Sequence, residues 1–404
     1  MKVLFCTKEY PPNVYGGAGV HVEYLARELS KQIEVEVRSF GEQDIDDGRL
    51  RVLGFKSDSL HVEGTKPELM PILKTLNTCI QMNSGTMNAN IVHCHTWYAQ
   101  FAGILSKLCH GTPLVITTHS LEPLRPWKRE QLGRGYDASS WIEKTAIEMA
   151  DAVIAVSEET KLDVLKYFEV NEKKVSVIYN GIDLQEYNVT TDFSALDQFK
   201  IDRSKPYVLF VGRITRQKGI IHLVNAIKYI NKNVQVVLCA GAPDTDEIGQ
   251  EMKSSVEAVQ KDRSNVIWIP EMLSKKDIIQ LYSHAAVFCC PSIYEPFGII
   301  NIEAMACNTA VVASSVGGIK EVVVDGETGI LVPLQQNKTA PFEASYPDRF
   351  ARDLADGINK LMGNEELRKT MGINGRKRVE QFFDWNAIAK QTIDLYKTLL
   401  RYDK

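Results

Sequence analysis

The feature that most constrains this chain is a repeated alternation of short apolar runs with amphipathic helical patterns. The runs, such as Val3–Cys6 and Leu114–Thr117, carry no regular polar alternation. Between them lie stretches such as Val20–Ser30, in which apolar residues recur with the spacing of one helix face. Strands that are apolar on both sides and separated by helices are typical of a parallel sheet covered on both faces. The sequence therefore predicts a doubly wound α/β fold.

The alternation is interrupted once, by the polar stretch Asn188–Lys205, and then begins again. A chain of 404 residues is long enough for two domains of ordinary size. We therefore expect two Rossmann-like domains, 1–195 and 196–380, that face an interdomain cleft. The last helical segment, 381–404, is expected to return to the N-terminal domain. Ligands of such sheets bind beyond the carboxyl ends of the strands, so the loops that follow strands are the first places to search.

Composition disfavours several classes of protein. The chain carries 47 basic and 51 acidic residues, so no bulk positive charge favours a nucleic-acid partner. No apolar run approaches the roughly 18 residues of a membrane span. The apolar start, Met1–Cys6, is too short for a signal-peptide core, and Pro11 follows soon after. The 8 cysteines form no Cys-x-x-Cys pair, which favours reduced thiols in a cytoplasmic protein.

Two loops after predicted strands carry candidate anion-binding groups. Gly16 and Gly17 stand just before a helix, where backbone N–H groups and the helix dipole favour an anion. Arg213 and Lys218 follow the first strand of the second half, where either side chain can bind a phosphate. Neither loop has the glycine pattern of a dinucleotide fingerprint or a P-loop. Taken alone, the glycine loop also fits a tight turn without a ligand, and the loop with Arg213 and Lys218 also fits side chains that are exposed to solvent.

The segment from Pro291 to Cys307 is the most informative. It contains the spacing Glu295-x7-Glu303, with a Pro-Phe-Gly turn between the two acids. At about 1.5 Å rise per residue, Glu303 lies about 7 Å along the helix axis from Gly298. The two carboxylates can therefore contact different hydroxyl groups of one nucleotide-sugar. The backbone N–H groups of Phe297, Gly298 and Ile299 would receive the diphosphate between them.

These loops, together with Val177–Asp183, resemble the retaining GT-B glycosyltransferases of family 4, the glycogen-synthase and sucrose-synthase superfamily. The stretches Lys8–Pro12, Thr117–Lys128 and Tyr136–Lys144 resemble the short, actinobacterial-type bacterial glycogen synthases, a group that includes maltose-1-phosphate synthases. The resemblance spans practically the whole chain. Val14 stands where the longer glycogen and starch synthases carry the lysine of a Lys-x-Gly-Gly motif, which favours the short subgroup.

The resemblance implies a glycosyltransferase that transfers a glucosyl unit with retention of anomeric configuration. Glu295 would support positive charge at the anomeric carbon, Glu303 would hold the ribose hydroxyls, and His119 would lie near the sugar 6-hydroxyl. The cations would neutralise the leaving diphosphate, and the first glycine loop would bind its distal phosphate. The implied catalytic residues are Glu295, His119, Arg213 and Lys218, and the implied substrate-binding residues are Gly16, Gly17, Phe297, Gly298, Ile299, Glu303, Asp137, Arg125 and Lys128.

No metal and no cofactor is expected. His93-Cys94-His95 closes a predicted buried strand without nearby partner ligands, and the acidic residues Asp44 and Asp46 lie in a polar loop. Preorganised cations and helix N–H groups can stabilise a leaving diphosphate without a metal ion.

The donor is expected to be ADP-glucose or UDP-glucose, and the acceptor a glucan end or glucose 1-phosphate. Arg125 and Lys128 lie in a stretch that also carries Trp127 and Trp141, which favours a phosphorylated sugar, although a solvated loop fits the same residues. The alternatives are a retaining transferase with another sugar and a small acceptor, as in sucrose-phosphate synthase, a UDP-sugar epimerase, and a non-catalytic binder of nucleotide-sugars. The oligomeric state stays open, with a homodimer among the alternatives.

Overall fold

The structure is a computed structural model that describes residues 1–14, 16–56, 60, 62–66, 69–337 and 342–402. Its internal contacts divide the chain into two units. The first comprises Met1–Gly181 and the chain from Trp385 onward, and the second comprises Ile182–Asp384. Each unit contains a mainly parallel sheet with helices between its strands, so the predicted α/β class is confirmed.

The strands follow the predicted apolar runs closely. The first unit has β1 (Lys2–Thr7), β2 (Glu34–Phe40), β3 (Asp44–Asp47), β4 (Leu50–Phe55), β5 (Ile91–His95), β6 (Leu114–Thr118), β7 (Ala152–Ala155) and β8 (Val175–Val177). The second has β9 (Tyr207–Arg213), β10 (Gln235–Gly241), β11 (Val266–Ile269), β12 (Val287–Cys290), β13 (Ala310–Ser314) and β14 (Gly329–Val332). Every residue of β5, β6 and β10 is buried, because helices cover both faces of each sheet.

The helices alternate with these strands. In the first unit they are α1 (Gly17–Ser30), α2 (Met70–Gln81), α3 (Trp97–His110), α4 (Lys128–Leu132), α5 (Gly135–Met149) and α6 (Glu158–Tyr167). In the second they are α7 (Ser194–Gln198), α8 (Ile220–Ala226), α9 (Asp246–Asp262), α10 (Lys275–His284), α11 (Ile299–Ala306), α12 (Ile319–Val322), α13 (Pro347–Met362) and α14 (Glu365–Phe382). The last helix, α15 (Trp385–Tyr402), belongs to the first unit again. No helix in the described ranges has the length and apolar character that a membrane span needs.

Within the described residues, the second sheet has six strands in the order β11-β10-β9-β12-β13-β14, all parallel. Numbered from β9, this is the 3-2-1-4-5-6 order of Rossmann sheets, in which the order reverses between the first and fourth strands. The reversal places the loops after β9 and β12 side by side. These two loops carry the candidate cations and the two glutamates.

In the part of the chain that the structure describes, the first sheet has eight strands in the order β3-β4-β2-β1-β5-β6-β7-β8. It is parallel except for the edge pair β3–β4. The acidic stretch predicted as a polar loop forms the edge strand β3, whose residues are all exposed and therefore show no apolar pattern. The segments that follow β1 and β6, the two strands on either side of β5, carry the remaining candidate residues.

The division between the units falls after Gly181, earlier than the expected boundary near residue 195. The polar stretch that suggested the boundary is held by α10 of the second unit. Gln280 accepts a hydrogen bond from the Ala195 backbone N–H at 2.7 Å, and the Thr190 N–H donates to Ser283 Oγ at 3.2 Å. These buried and partly buried contacts assign the stretch to the second sheet, and polarity alone does not reveal them.

The C-terminal helix closes the core of the first unit. Trp385 stacks on Tyr24 of α1 with ring centroids 5.9 Å apart. Further along α15, the buried Tyr396 hydroxyl lies 2.6 Å from Nδ1 of His93 in β5. The other ring nitrogen of His93 lies 2.6 Å from Thr117 Oγ1, so both nitrogens of this buried imidazole are satisfied.

We predict that Tyr396→Phe lowers the free energy of unfolding of the first unit by about 1–3 kcal/mol, because it leaves a buried imidazole nitrogen unpaired. Urea unfolding followed by circular dichroism measures the change. Tyr346→Phe serves as the control, because Tyr346 is 60% exposed. Equal stability of the two variants would contradict the role given to this hydrogen bond.

Candidate active site

The two loops of the second unit are locked together by a close backbone approach. Gly219 has a positive φ of 60°, and a Cβ there would lie 2.1 Å from the carbonyl oxygen of Pro291. The Ile293 N–H donates to the Gln217 carbonyl at 2.9 Å across the same contact. Only glycine fits this position, and the contact fixes the loop after β9 against the loop after β12.

An ion pair joins the same two loops. Lys218 Nζ lies 2.7 Å from Glu295 Oε2, and Ser292 Oγ donates to that oxygen at 3.4 Å. Glu295 is only 7% exposed. The structure therefore brings together a predicted cation and the predicted catalytic carboxylate, as one pair at the carboxyl edge of the sheet.

Arg213 is oriented by a residue that sequence reasoning missed. Its Nη1 donates to Asp244 Oδ1 at 2.9 Å. Asp244 lies shortly after β10, the strand next to β9, so its position at the same sheet edge follows from the strand order. A carboxylate at one terminal nitrogen fixes the plane of the guanidinium fork, which is the part of arginine that recognises a phosphate.

The turn after Glu295 leads directly into α11. Gly298 precedes the helix with a positive φ of 106° and, being glycine, provides no side-chain cap for α11. Gly317 packs closely against this turn, because a Cβ there would lie only 2.1 Å from the Glu295 carbonyl oxygen. The Phe297 side chain is buried, with its ring centroid 5.6 Å from that of Phe383. Phe297 can therefore offer a ligand only its backbone, as expected.

Glu303 is held by two tyrosines that the spacing did not reveal. Tyr187 donates to Oε1 at 3.1 Å and Tyr282 donates to Oε2 at 3.0 Å. Removal from water raises the pKa of the Glu303 carboxyl to about 7, against the lowering effect of the two hydroxyls. Each carboxylate oxygen still has a second lone pair, so the two tyrosines orient the group without saturating it.

The first glycine loop differs in part from the expectation. The Gly16 N–H donates to Glu9 Oε2 at 2.8 Å, so a carboxylate of the chain itself already accepts this hydrogen bond. Gly17 is the first residue of α1, and the preceding residue provides no side-chain cap. Gly17 is therefore the better placed of the two glycines to receive a phosphate.

His119 lies in a cluster of imidazoles. His119 Nε2 is 3.1 Å from Nδ1 of His95, and its ring centroid is 4.7 Å from that of His21. Burial lowers the pKa of all three rings: that of His21 to about 4, and those of the other two well below the ordinary value. All three are therefore neutral at pH 7 and can accept or donate a hydrogen bond without carrying charge.

Arg125 lies in the segment after His119, Lys128 begins α4, and both side chains are largely covered. Arg125 Nη1 donates to Ser120 Oγ at 2.9 Å and lies 3.7 Å from Glu122 Oε1. Lys128 is 8% exposed and donates to Gln131 Oε1. These contacts distinguish the two cations from lysines and arginines that are merely solvated.

Asp137 and Trp141, which follow in the same stretch, lie on the surface. Asp137 pairs with Arg129 at 2.6 Å on the surface, with both side chains more than half exposed. Trp127 is buried, whereas Trp141 is 57% exposed. The structure thus gives Asp137 a surface partner, and it leaves Trp141, not Trp127, as an aromatic face for a sugar ring.

Two buried glutamates, Glu122 and Glu143, hold the loop that carries Arg125. Glu143 of α5 accepts a hydrogen bond from the Glu122 backbone N–H at 2.6 Å, and Ser139 donates to Glu122 Oε2 at 2.6 Å. Burial, and next the charge of Glu122, raise the pKa of Glu143 well above its ordinary value. Burial therefore favours the protonated form of Glu143, which holds the backbone of the loop that carries Arg125 through the Glu122 N–H.

Comparisons with known proteins match both units. Residues 15–186 match the family "Glycosyltransferase Family 4", and residues 194–378 match "Glycosyl transferases group 1". The α-maltose-1-phosphate synthase of Mycolicibacterium smegmatis is 45% identical, over 98% of this chain and 99% of that protein. A protein of the same name from Mycobacterium tuberculosis is 42% identical over 98% and 99%. The chain belongs to glycosyltransferase family 4.

The fold of this glycosyltransferase agrees with the assignment. Among solved structures, sucrose-phosphate synthase from Thermosynechococcus elongatus is similar, with a TM-score of 0.79, 25% identity and 99% coverage of both chains. The predicted resemblance, the GT-B fold and the enzyme class are thereby confirmed.

We predict that Glu143→Gln preserves the stability of the transferase better than Glu122→Gln does. The native state keeps a proton that the unfolded state releases, so Glu143 destabilises the fold increasingly as pH rises above the ordinary carboxyl pKa. The neutral amide removes this dependence and can still accept from the Glu122 N–H. Glu122→Gln should cost about 1–3 kcal/mol, because it leaves buried donors poorly paired.

Thermal unfolding at pH 6 and pH 8 measures both variants. Glu143→Gln should gain stability relative to the wild type between the two pH values. A larger loss in Glu143→Gln than in Glu122→Gln at pH 8 would show that Glu143 is ionised in the native state.

Proposed function

We propose that this transferase moves an α-glucosyl unit from ADP-glucose to glucose 1-phosphate, with retention of configuration, to give maltose 1-phosphate. The observation that carries the proposal is the pair of covered cations, Arg125 and Lys128, in the segment after His119. A phosphate offers such cations a charged acceptor in addition to the partners they already have, whereas a neutral glucan end does not. The names of the relatives with 45% and 42% identity support the same acceptor.

The donor is proposed to bind the second unit. Arg213 and Lys218 would neutralise the diphosphate, and the backbone at Gly298 and Ile299 would contact it at the start of α11. Glu303 would accept hydrogen bonds from the ribose hydroxyls. Preference for ADP-glucose over UDP-glucose is proposed from the likeness to bacterial glycogen synthases.

The proposed chemistry breaks the bond between the anomeric carbon and the diphosphate oxygen and forms a bond to an acceptor hydroxyl on the same face. The hydroxyl proton passes to the leaving diphosphate. Lys218 and Arg213 stabilise the charge that this group gains, and Glu295 supports the oxocarbenium-like carbon. His119 would hold the 6-hydroxyl of the transferred sugar as a neutral imidazole.

We predict that Arg125→Ala and Lys128→Ala each raise the KM for glucose 1-phosphate by about tenfold or more, since a charge-assisted hydrogen bond contributes about 1.5–3 kcal/mol. The kcat should change much less. Lys144→Ala is the matched control, because Lys144 lies on α5 with 52% of its side chain exposed. An unchanged KM in both loop variants would remove the proposed phosphate contact.

We predict that Tyr187→Phe and Tyr282→Phe each raise the KM for the donor by about 2–10-fold, from the loss of one hydrogen bond that orients Glu303. Because the pKa of Glu303 is about 7, the donor KM should also rise as pH falls from 8 to 6. Each Tyr→Phe change removes a hydrogen bond that lowers this pKa, so the rise should begin at a higher pH. A pH profile identical to that of the wild type would contradict this role.

A panel of donors and acceptors tests the proposal as a whole. The values of kcat/KM are measured for ADP-glucose and UDP-glucose, each with glucose 1-phosphate and with glycogen, and the product anomer is assigned by NMR. ADP-glucose with glucose 1-phosphate should give the largest value and an α-linked product. Glycogen as the better acceptor would instead assign glucan elongation, and donor turnover without any acceptor would indicate an epimerase.

A further inference from the structure

Three imidazoles come together from segments that are distant in the sequence. His21 lies on α1, His95 ends β5, and His119 follows β6. One ring nitrogen from each lies within 4.8 Å of the other two. No spacing in the sequence reveals this group, because the three histidines come from separate segments: α1, the end of β5 and the loop after β6.

The hydrogen bonds of His21 fix its tautomer. Its Nδ1 lies 2.6 Å from Asn180 Oδ1, and an amide oxygen can only accept, so Nδ1 carries the proton. Nε2 is therefore a bare lone pair, and it is buried with no hydrogen-bond partner. His95 presents Nδ1 to Nε2 of His119 at 3.1 Å, and its own Nε2, buried and without a hydrogen-bond partner among the described residues, is left to carry the ring proton when Nδ1 binds a metal ion. An oxygen that accepts from the outer N–H of an imidazole is the usual second contact of a metal-ligating histidine.

We propose that His21, His95 and His119 form a binding site for one divalent transition-metal ion of the zinc, cobalt and nickel class, with water as a further ligand. Imidazole nitrogens favour these ions over magnesium or calcium. Tetrahedral ligands about 2.0–2.1 Å from zinc lie about 3.4 Å apart. The nitrogens of His95 and His119 are already 3.1 Å apart, so the remaining ring has to approach by about 1.4 Å at most.

Metal binding at this site would inhibit the transferase. The inhibition rests on the proposed function, in which His119 contacts the transferred sugar. Metal binding itself does not depend on that function. An ion held by His119 would compete with the sugar hydroxyl for the same nitrogen. His119 is partly exposed, which gives the ion a path to the two buried rings.

The test is a titration of the full-length protein, freed of metal by EDTA and dialysis, with Co²⁺. One equivalent should produce the intense visible bands of Co²⁺ in a tetrahedral nitrogen environment, and Zn²⁺ should abolish them. His21→Gln and His119→Gln should each weaken Co²⁺ binding at least tenfold, while the exposed His110→Gln should not. His119→Gln changes a partly exposed side chain, so it keeps the test interpretable if His21→Gln fails to fold.

Absence of the bands, or their retention in His119→Gln, would overturn the proposed site. Zn²⁺ at one equivalent should also lower turnover of ADP-glucose with glucose 1-phosphate, and EDTA should restore it. Binding without inhibition would refute the inhibitory consequence and the sugar contact of His119, but not the metal site. If no turnover is found with any donor, the proposed function fails, and the Co²⁺ spectrum still decides the site.

Discussion

The ion pair between Lys218 and Glu295 organises the proposed donor site. It joins the loops after β9 and β12, which the strand order places side by side. Glycine at 219 permits the loops to touch, and glycine at 317 lets the backbone of the Glu295 turn rest on the loop after β13. The pair also keeps a cation and an acid together that have different tasks in the proposed reaction. A diphosphate that binds Lys218 would release Glu295 toward the sugar.

Much of the fold could be predicted from the sequence, because buried parallel strands leave runs of apolar residues that few other structures produce. β10 and β12 are examples, and both are buried throughout. The edge strand β3 was missed, since an exposed acidic strand gives no apolar pattern. The division after Gly181 was also missed, because it depends on contacts made by Gln280 and Ser283 that are distant in the sequence.

The candidate site, like the fold, could be predicted from the sequence only in part. Lys218, Glu295 and Glu303 could be found because they lie at fixed distances from glycine turns that follow strands. Their partners could not, since Asp244, Tyr187 and Tyr282 reach the site from other elements through the fold. The buried pair Glu122 and Glu143 has no local signal either. Its function follows from burial, which favours the protonated form of Glu143, and from the hydrogen bond by which Glu143 fixes the loop that carries Arg125.

In the proposed reaction, the donor diphosphate takes the place of Glu295 at Lys218. Calorimetric titration of ADP into the wild type and into Glu295→Gln measures this exchange. The variant should bind ADP more tightly, by about threefold or more, because the competing carboxylate is gone, while turnover should fall by about 100-fold or more. Weaker binding of ADP by Glu295→Gln, with turnover largely retained, would show that the diphosphate does not replace Glu295 at Lys218.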